Sequence, residues 1–595
     1  MDKDINSRRS NRISRGLLAA ASDPCVKVAG LQFVDPADAI ACQKSFPFNE
    51  TIRQNVLSVV SRESTTNIRA DIARINSTRY ATDYDFNGDL WDFTTQLNDG
   101  HTRWFPNCYN SYQNILPAPV VILDDGIFIA PDSVELLNQL GPNFISFFAA
   151  KGFNWQRLAG ARVLTIGGLP ASVYVDQIAR TVSGNFLDHN VRVNSVISSY
   201  RIVGTSFSQR VGDLAGPIFL KQTSLKFLLI PANSKSPELV DIPSWANNCA
   251  ATPQTNGVDL KSGVRPFARG QPRLARAVLN DPAAQPKTAI GLPPPFLPTL
   301  SPTNGSTGVI KSYILPGNKT GVVRVLSHSP SNFNQFPLDV EAAVNQFKKA
   351  GVTNLVIDVT NNGGGFVCLG LFLHQFLAGT EAGFPGFQST SRANTLAQKI
   401  LKADISLGLD GSVSFYTADN WQFLNGTQMP VNFNYNDPSV PFVVNGRSNP
   451  TSQRFEDVCP TPQVNIPATP PFDLNHQKLL FTVGNGNCAS TCALFTTVMF
   501  ERHQTKIATF GGNPFQPIQY KGMAGNQVLE WTDLDTEIKT AGLKDDPLAP
   551  PDFCLPAYSF FDENKPIAYV SEQPQFRFPY TAETYNNPQK VWAFV

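Results

Sequence analysis

The second half of the chain alternates between short apolar runs and amphipathic stretches, and this alternation restricts the fold more than any other feature. Runs with the composition of β-strands lie at 322–327, 355–360 and 478–483, and a fourth begins at Lys506. Helix-like segments stand between them, such as DVEAAVNQFKKAG, VCLGLFLHQFLAG and STCALFTTVMFERH. Strands that alternate with helices of this length form βαβ units around a largely parallel sheet. The sequence therefore predicts an α/β fold.

The first half of the chain has a different character. Residues 48–99 indicate helices, because apolar residues recur every three or four positions. Short β-like runs then dominate, with one helix in ASVYVDQIARTV, and a Pro-rich stretch follows them. We therefore predict five segments: a leader or flexible N-terminus (1–24), a helical N-terminal region that carries a candidate histidine (25–118), a β-rich insert (119–280), a Pro-rich linker (281–308) and an α/β domain (309–595).

The charge balance argues against several classes of function. The 595 residues include 48 Lys and Arg against 47 Asp and Glu, so the net charge of +1 creates no overall field that would hold nucleic acid. No apolar run approaches the ~18 residues that a membrane span needs. The chain has neither an H-E-x-x-H motif nor a Cys/His cluster with zinc spacing. We expect no metal, no cofactor, no nucleic-acid partner and no membrane partner, whereas a homodimer stays open.

Secretion is the location that the sequence favours. The N-terminus has basic residues but an apolar core of only GLLAAA, so either a natural signal peptide was replaced or the segment is a flexible leader. Nine cysteines leave at least one thiol unpaired. Sequons that permit glycosylation of a secreted protein occur at Asn49, Asn76, Asn304, Asn318 and Asn425.

Ser490 is the first candidate for chemistry. It lies in GNGNCASTC, between an apolar strand and an amphipathic helix. The free N–H groups of a first helical turn would stabilise an oxyanion that forms beside such a serine, as a nucleophile requires. The alternative is that Ser490 only caps the helix, since serine is among the preferred N-cap residues. The usual α/β-hydrolase motif, G-x-S-x-G, does not occur in the chain.

Two cysteines flank this serine, Cys488 and Cys492. We expect both to pack in the core. The alternatives are a disulfide between them, or a thiol nucleophile in place of the serine. No basic neighbour in the sequence indicates a lowered thiol pKa.

A glycine turn follows the apolar strand LVIDVT. In Asn361-Asn362-Gly363-Gly364-Gly365, three glycines allow a tight turn whose N–H groups face outward, as an anion or oxyanion site requires. A plain structural turn is the alternative. Phosphate binding is disfavoured, because the segment matches neither G-x-x-x-x-G-K-[ST] nor G-x-G-x-x-G.

His101, in the segment LNDGHT, has the most suggestive placement of the six histidines. It follows Gly100 at the end of a predicted helix, in a loop from which an imidazole could reach a cleft. The other five lie in helical patterns (His374, His503) or in polar surroundings (His189, His328, His476). A lone histidine is more often structural, so His101 gains weight only beside the serine and glycine motifs.

Together, LNDGHT, LVIDVTNNGGGF and LLFTVGNGNCASTCALF resemble the C-terminal-processing (tail-specific) serine peptidase family, in order and in approximate spacing. The downstream segments FGGNPFQPIQYKGMAGNQV and DPLAPPDF resemble its secreted fungal branch, which is similar to the chlamydial protease-like activity factor. The resemblance covers 85–110 and 320–595. It implies a crotonase- or ClpP-like βαβ catalytic domain and a small PDZ-like insert, whose most PDZ-like stretch is 160–168.

The resemblance also implies a mechanism for a serine-type peptidase. A Ser-Lys dyad is disfavoured, because Phe515 stands where the lysine of the bacterial enzymes would fall, and the nearest lysines are Lys506 and Lys521. In the Ser-His-Glu triad of the related branch, Ser490 would be the nucleophile and His101 the base. The substrates would be extended or unfolded polypeptides, which could bind as an added strand beside the PDZ-like insert.

The third triad member is less well defined by the resemblance. Glu572 in YVSEQPQFRF fits best, while Glu563 and Glu537 are alternatives, and all three could be surface acids. Two other functions stay open: a catalytically degenerate member that binds an apolar ligand or a peptide, and a crotonase-like acyl-transfer enzyme.

The oxyanion hole that the resemblance implies is made of backbone amides. It would combine an N–H of the Gly363/Gly364 turn with the N–H of Thr491.

Overall fold

The structure is a computed structural model of the 595-residue chain. It describes residues 24–28, 31, 33–45, 48, 68–98, 100, 102–105, 112–123, 125–184, 186, 188–203, 206–248, 289–291, 297–444, 447–448, 450–472, 480–514, 516, 518, 531–549, 569–572 and 577–580.

Helices carry most of the N-terminal region. Its elements are β1 (Phe33–Val34), α1 (Pro36–Gln43), α2 (Ile68–Ser77), α3 (Asp83–Gln96), β2 (Thr102–Phe105) and β3 (Tyr112–Ile115). The hydroxyl of Thr82 caps α3, since it accepts from the Asp85 N–H at 3.2 Å. The helix then buries Phe86, Leu90 and Phe93, which share one face at helical spacing. The helical pattern seen in the sequence is thus confirmed for 68–77 and 83–96.

The insert contains an antiparallel sheet with helices against it. Its elements are β4 (Val120–Leu123), β5 (Gly126–Ile129), α4 (Ser133–Leu137), α5 (Pro142–Ala150), β6 (Arg162–Ile166), β7 (Leu169–Pro170), α6 (Ala171–Thr181), α7 (His189–Val196), β8 (Ser199–Val203), β9 (Ser206–Arg210), β10 (Ser224–Ile230), β11 (Glu238–Pro243) and β12 (Trp245–Asn248). The main sheet has the order β11–β10–β6–β5–β4, and β7 pairs with β6. The predicted helix in ASVYVDQIARTV is α6, whereas α4, α5 and α7 were not predicted. The PDZ-like character of the insert stays a prediction.

Helix α7 is polar in sequence and yet buried. Its sequence is HNVRVNSV, and every residue from Asn190 to Val196 is buried. Asp188 caps the helix by accepting the Val191 N–H at 2.9 Å. The helix lies against the α/β domain, where its polar side chains find hydrogen-bond partners.

One short strand lies within the predicted linker 281–308. It is β13 (Ala289–Gly291), which pairs with β9 at the edge of the three-stranded antiparallel sheet β13–β9–β8. This part of the predicted linker therefore pairs with the strands that precede it.

The α/β domain contains the longest helix of the described chain, Gln335–Ala350. Its elements are β14 (Ile310–Ile314), β15 (Thr320–Val325), α8 (Gln335–Ala350), β16 (Asn354–Asp358), α9 (Val367–Ala378), β17 (Gln388–Ser391), α10 (Thr395–Leu407), β18 (Trp421–Gln422), β19 (Val443–Val444), β20 (Arg447–Ser448), β21 (Glu456–Asp457), β22 (Leu480–Gly484), α11 (Thr491–His503), β23 (Lys506–Thr509), α12 (Trp531–Thr540), β24 (Tyr569–Glu572) and β25 (Arg577–Tyr580).

A five-stranded sheet forms the centre of this domain, in the order β14–β15–β16–β22–β23. The pair β14–β15 is antiparallel, and the remaining three pairs are parallel. Leu355 and Ile357 of β16 alternate with less buried neighbours and point into the core. The α/β fold and the four strands predicted from the sequence are confirmed.

Helices α9 and α11 pack closely beside one another against this sheet. Gly370 of α9 allows the approach, because a Cβ there would lie 2.6 Å from the Thr491 side chain. Phe372, Phe495 and Met499 fill the core between them. This packing positions the first turn of α11, where Ser490 precedes the helix.

The described part of the chain contains three disulfides, which link Cys25 to Cys42, Cys368 to Cys459, and Cys488 to Cys492. Cys108, Cys249 and Cys554 lie outside the described residues. Within the described ranges, no helix combines the length and the apolar character needed to cross a bilayer.

Candidate active site

Ser490 occupies a backbone conformation that is rare for serine. It is half-buried at the N-cap of α11, with φ 51° and ψ −119°. Its side chain makes no capping hydrogen bond to the helix. A positive φ in a residue with a Cβ is strained and occurs often at functional sites. The capping interpretation of Ser490 therefore lacks the hydrogen bond on which it depends.

Cys488 and Cys492 are bonded to each other across this serine. Both are buried, as expected for core residues, but the alternative of a disulfide is the one that the structure contains. A disulfide sulfur is not a thiolate, so neither cysteine can act as a nucleophile while this bond is intact.

The glycine turn contacts the serine loop directly. The Ala489 N–H donates to the Asn362 carbonyl at 2.9 Å. A Cβ on Gly364 would lie 2.8 Å from the Ser490 Cβ and 3.0 Å from the Thr491 nitrogen. Gly364 also has φ 88°, so both its surroundings and its backbone require glycine. Two of the predicted motifs, more than a hundred residues apart in sequence, therefore form one site.

Two backbone amides at this contact have no hydrogen-bond acceptor among the described residues. The Gly364 N–H donates to the Asn362 Oδ1 at 2.8 Å and is therefore occupied. The N–H groups of Gly363 and Thr491, in contrast, are paired with no acceptor in the described parts of the chain. A Cβ on Gly363 would meet nothing within 4 Å, so this residue borders open space.

Asn362 fixes the glycine turn through three hydrogen bonds. It is fully buried, and its Nδ2 donates to the Val325 carbonyl at 2.7 Å. Its Oδ1 accepts from Gly364, and its backbone carbonyl accepts from Ala489. The sequence alone assigns no individual function to Asn362. The available signal was an asparagine before glycine, a pair that often bonds its own turn.

Asn361 connects the same turn to the serine loop and to the insert. Its Oδ1 accepts from the Nδ2 atoms of Asn485 and Asn487, at 2.9 and 3.1 Å. Its own Nδ2 donates to the Tyr200 carbonyl of β8 at 2.5 Å. The strand β8 is an edge of its sheet, and this bond places that edge beside the glycine turn.

His101 lies outside the described residues, but the strand that follows it is described. In the antiparallel pair β2–β24, Thr102 stands opposite Glu572. The backbone of Glu572 is therefore close to the residue that follows His101. Of the Glu572 side chain the structure describes nothing.

The two alternative acids have other placements. Glu563 lies outside the described residues. Glu537 on α12 is fully buried, and its Oε2 accepts the Phe415 N–H at 3.1 Å. It lies next to Ile538, which belongs to the core that also contains Phe86. Glu537 is therefore a buried side chain that bonds a loop backbone, rather than a surface acid.

His328 is not in polar surroundings, contrary to the sequence analysis. It is fully buried between the rings of Phe336 and Phe495. Its Nδ1 lies 3.4 Å from the Asn362 Oδ1, and its backbone N–H donates to the Gly364 carbonyl at 2.7 Å. Because the Asn362 Oδ1 can only accept, the Nδ1 of His328 carries a proton. Burial lowers the pKa of His328 to about 4.

Among the side chains that the structure describes, no three His, Cys, Asp or Glu residues converge as the ligands of a metal ion would.

Curated fungal proteins resemble this chain. It is 24% identical over 402 residues to the Peptidase S41 family protein ustP of Aspergillus flavus, across 56% of this chain and 82% of that protein. It is 23% identical over 509 residues to the Peptidase S41 family protein phomP1' of Diaporthe leptostromiformis, across 78% of this chain and 71% of that protein. No family model matches the chain. The relatives confirm the resemblance to C-terminal-processing peptidases and the prediction of a serine-type peptidase.

Solved structures of two peptidases also align with the chain. Mature CPAF complexed with lactacystin is 13% identical, with a TM-score of 0.40, across 77% of this chain and 84% of that one. The photosystem II D1 C-terminal processing protease is 12% identical, with a TM-score of 0.23, across 77% of this chain and 80% of that one.

We expect His328→Gln to reduce the loss of stability in acid. The ordinary histidine pKa of 6.5 falls to about 4 in the folded protein. A group of this kind stabilises the fold above its unfolded pKa, and that contribution is lost as the pH falls from 6.5 toward 4. The full shift corresponds to ~3 kcal/mol. Glutamine can still donate to Asn362 but does not titrate.

Urea unfolding on both sides of that pH window checks this prediction. The free energy of unfolding should fall less on acidification in His328→Gln than in the original protein. His374→Gln should behave in the same way, because burial and the neighbouring His503 lower the pKa of His374 to about 3. An unchanged acid dependence in both variants would show that these histidines are not the source.

Proposed function

We propose that this relative of the S41 peptidases is an endopeptidase that hydrolyses peptide bonds in extended or unfolded polypeptides, with Ser490 as its nucleophile. One observation carries the proposal. Ser490 has a positive φ, makes no capping bond, and touches Gly364 beside two amides that have no described acceptor. A serine that merely begins a helix needs none of these features.

The proposed reaction proceeds through an acyl-enzyme. The Ser490 Oγ attacks the scissile carbonyl while His101 takes its proton, and the C–N bond breaks as His101 returns that proton to the leaving amine. Water then attacks the ester with the same histidine as base. The carboxylate product leaves, and Ser490 regains its proton.

The oxyanion in each step would be stabilised by the Gly363 and Thr491 amides. Gly364 belongs to the same turn, but its N–H already bonds Asn362, so we assign the turn's donor to Gly363. The Thr491 N–H belongs to the first turn of α11, where the helix dipole also favours negative charge. Preorganised donors of this kind lower the barrier of acyl transfer by ~3 kcal/mol each.

Glu572 is the acid that we propose for the triad. The pairing of β2 with β24 supports it, because Thr102 faces Glu572 and His101 precedes Thr102. Glu537 ranks second, because its Oε2 already accepts the Phe415 N–H at 3.1 Å. Its neighbour Ile538 packs in the same core as Trp104 of β2, so its helix also lies near this strand.

Extended polypeptides are proposed as substrates because a sheet edge adjoins the site. The strand β8 ends the order β13–β9–β8, and Asn361 bonds Tyr200 in it. An extended chain could add to this edge and place one carbonyl at the glycine turn. In the same proposal, the insert is a PDZ-like domain and the α/β domain is a crotonase- or ClpP-like catalytic domain.

An extracellular location is part of the same proposal. Three disulfides are typical of proteins from oxidising compartments. The sequon residues Asn304, Asn318 and Asn425 are exposed, as glycosylation would require.

A fluorophosphonate probe tests the nucleophile. We expect one covalent adduct on Ser490, no labelling of Ser490→Ala, and strongly reduced labelling of His101→Ala, because the hydroxyl needs its base. Mass spectrometry locates the adduct. Ser412→Ala is the matched control, since it removes an exposed loop hydroxyl and should label normally. A folded protein without an adduct would instead favour the degenerate binding protein.

Gly363 allows a matched test of the oxyanion hole. Gly363→Pro removes the backbone N–H and should lower kcat by ~10²–10³-fold, the usual cost of losing one donor. Gly363→Ala keeps the N–H, and its Cβ would meet nothing within 4 Å, so kcat should change little. Peptide hydrolysis under saturating substrate measures both. Equal losses in the two variants would point to the shape of the turn rather than to its amide.

The third triad member is tested by Glu572→Gln. Glutamine cannot stabilise the imidazolium that forms on His101, so kcat should fall by on the order of 10³–10⁴-fold. Glu537→Gln keeps an acceptor for the Phe415 N–H and should leave kcat unchanged. The reverse result, a loss only in the Glu537 variant, would reassign the acid.

A further inference from the structure

We propose that Asn194 of α7 is a positioning residue, whose carboxamide holds the loop that carries Ser490; this rests on the proposed function. The residue lies in the insert, almost three hundred positions from the serine. Its contacts nevertheless reach the loops on which the site is built.

Each end of the Asn194 carboxamide is occupied. Its Nδ2 donates to the Asn485 carbonyl at 2.8 Å and to the Phe510 carbonyl at 3.1 Å. Its Oδ1 accepts the Gly512 N–H at 2.7 Å. The side chain is 2% exposed, so these bonds form away from water. One residue thus joins the loop after β22 to the loop after β23.

The two loops are shaped to receive this helix. A Cβ on Gly511 would lie 2.1 Å from the Asn194 Oδ1. A Cβ on Gly486 would lie 2.4 Å from the Val191 side chain. Gly486 and Gly511 both have positive φ. The backbone of the two loops therefore lies directly against α7. The buried N–H and C=O groups of the loops need hydrogen-bond partners, which the side chains of α7 supply.

The contact continues from the loop to the remainder of the site. Ser195, the next residue of α7, lies with its Oγ 3.2 Å from the Asn487 Oδ1. Asn487 and Asn485 both donate to Asn361, which begins the glycine turn. The nucleophile loop and the turn of the proposed oxyanion hole are thus held by the same helix.

The contacts between α7 and the serine loop lie close to Ser490 in sequence. Asn485 and Asn487 stand five and three positions before Ser490. Ala489, directly before the serine, packs against Val191 of α7. A shift of this loop by about 1 Å would displace the Ser490 Oγ from the attacked carbonyl, and misplacement of that size costs roughly 10²-fold in rate.

Asn194→Asp tests the proposal with little change of shape. Aspartate keeps an acceptor for Gly512 but turns the donor end into an oxygen that faces two carbonyl oxygens. We expect kcat per active site to fall by about 10- to 100-fold with little change in KM. We also expect faster hydrogen exchange of the amides in 485–491, which requires no catalytic activity.

Asn190→Asp is the matched control. It makes the same substitution one turn earlier on α7, where the Oδ1 accepts the Asn513 N–H at 3.1 Å rather than contacting the serine loop. It should leave kcat and the exchange of 485–491 unchanged.

Active-site titration with the fluorophosphonate separates positioning from folding. A residue that only stabilises the fold would lower the fraction of titratable sites, while kcat per titrated site and the exchange of 485–491 stayed the same. That outcome overturns the proposal. If Asn194→Asp does not fold, Ser195→Ala is the substitute, because it removes the contact with Asn487. It should lower kcat about three- to tenfold. Unchanged kcat and unchanged exchange of 485–491 in Ser195→Ala would also overturn the proposal.

The two proposals fail in different ways. An original protein that neither labels nor hydrolyses peptides contradicts the peptidase function. The exchange measurement would still show whether Asn194 holds the loop.

Discussion

The candidate site depends on one backbone hydrogen bond, from the Ala489 N–H to the Asn362 carbonyl at 2.9 Å. It forms just beyond the last ladder pair of β16 and β22, Asp358 with Val483. Parallel strands bring their carboxyl ends to one edge, and the chain leaves the sheet there in irregular segments. This bond joins the segment that follows β16 to the segment that follows β22, so the two strands stay linked beyond their last ladder pair. The contact between Gly364 and Ser490 follows from it, so a sheet determines the geometry of the serine.

The strained serine is stabilised by its neighbours on each side. A residue with a positive φ of this kind costs ~1–3 kcal/mol, which the surrounding structure must offset. The disulfide between Cys488 and Cys492 closes a short loop around Ser490. The Thr491 hydroxyl donates to the Gly365 carbonyl at 2.7 Å, which attaches the first turn of α11 to the glycine turn. A covalent bond and a hydrogen bond beside Ser490 therefore help to offset the cost of its backbone conformation.

Sequence periodicity predicted those parts of the fold that bury an apolar face. The strands and helices of the α/β domain have such faces, and the motifs around Ser490 and Gly364 stand at the strand ends. Helix α7 escaped prediction, because HNVRVNSV has no apolar stripe and its burial is compensated by polar contacts across the chain. His328 was misjudged for a related reason: its polar sequence neighbours do not form its surroundings, which are Phe336 and Phe495. Sequence proximity cannot show which distant residues enclose a side chain.

The supports of the site are mostly carboxamides, and their neutrality has a physical consequence. The loops after β16, β22 and β23 contain backbone donors and acceptors that no ladder satisfies. An asparagine can donate and accept at once, so Asn194, Asn361 and Asn362 each satisfy both kinds of group. A buried carboxylate or ammonium would need desolvation and would shift the pKa of any titratable group beside it. Neutral supports can therefore hold the proposed nucleophile in position without adding a charge that would shift the pKa of its proposed base.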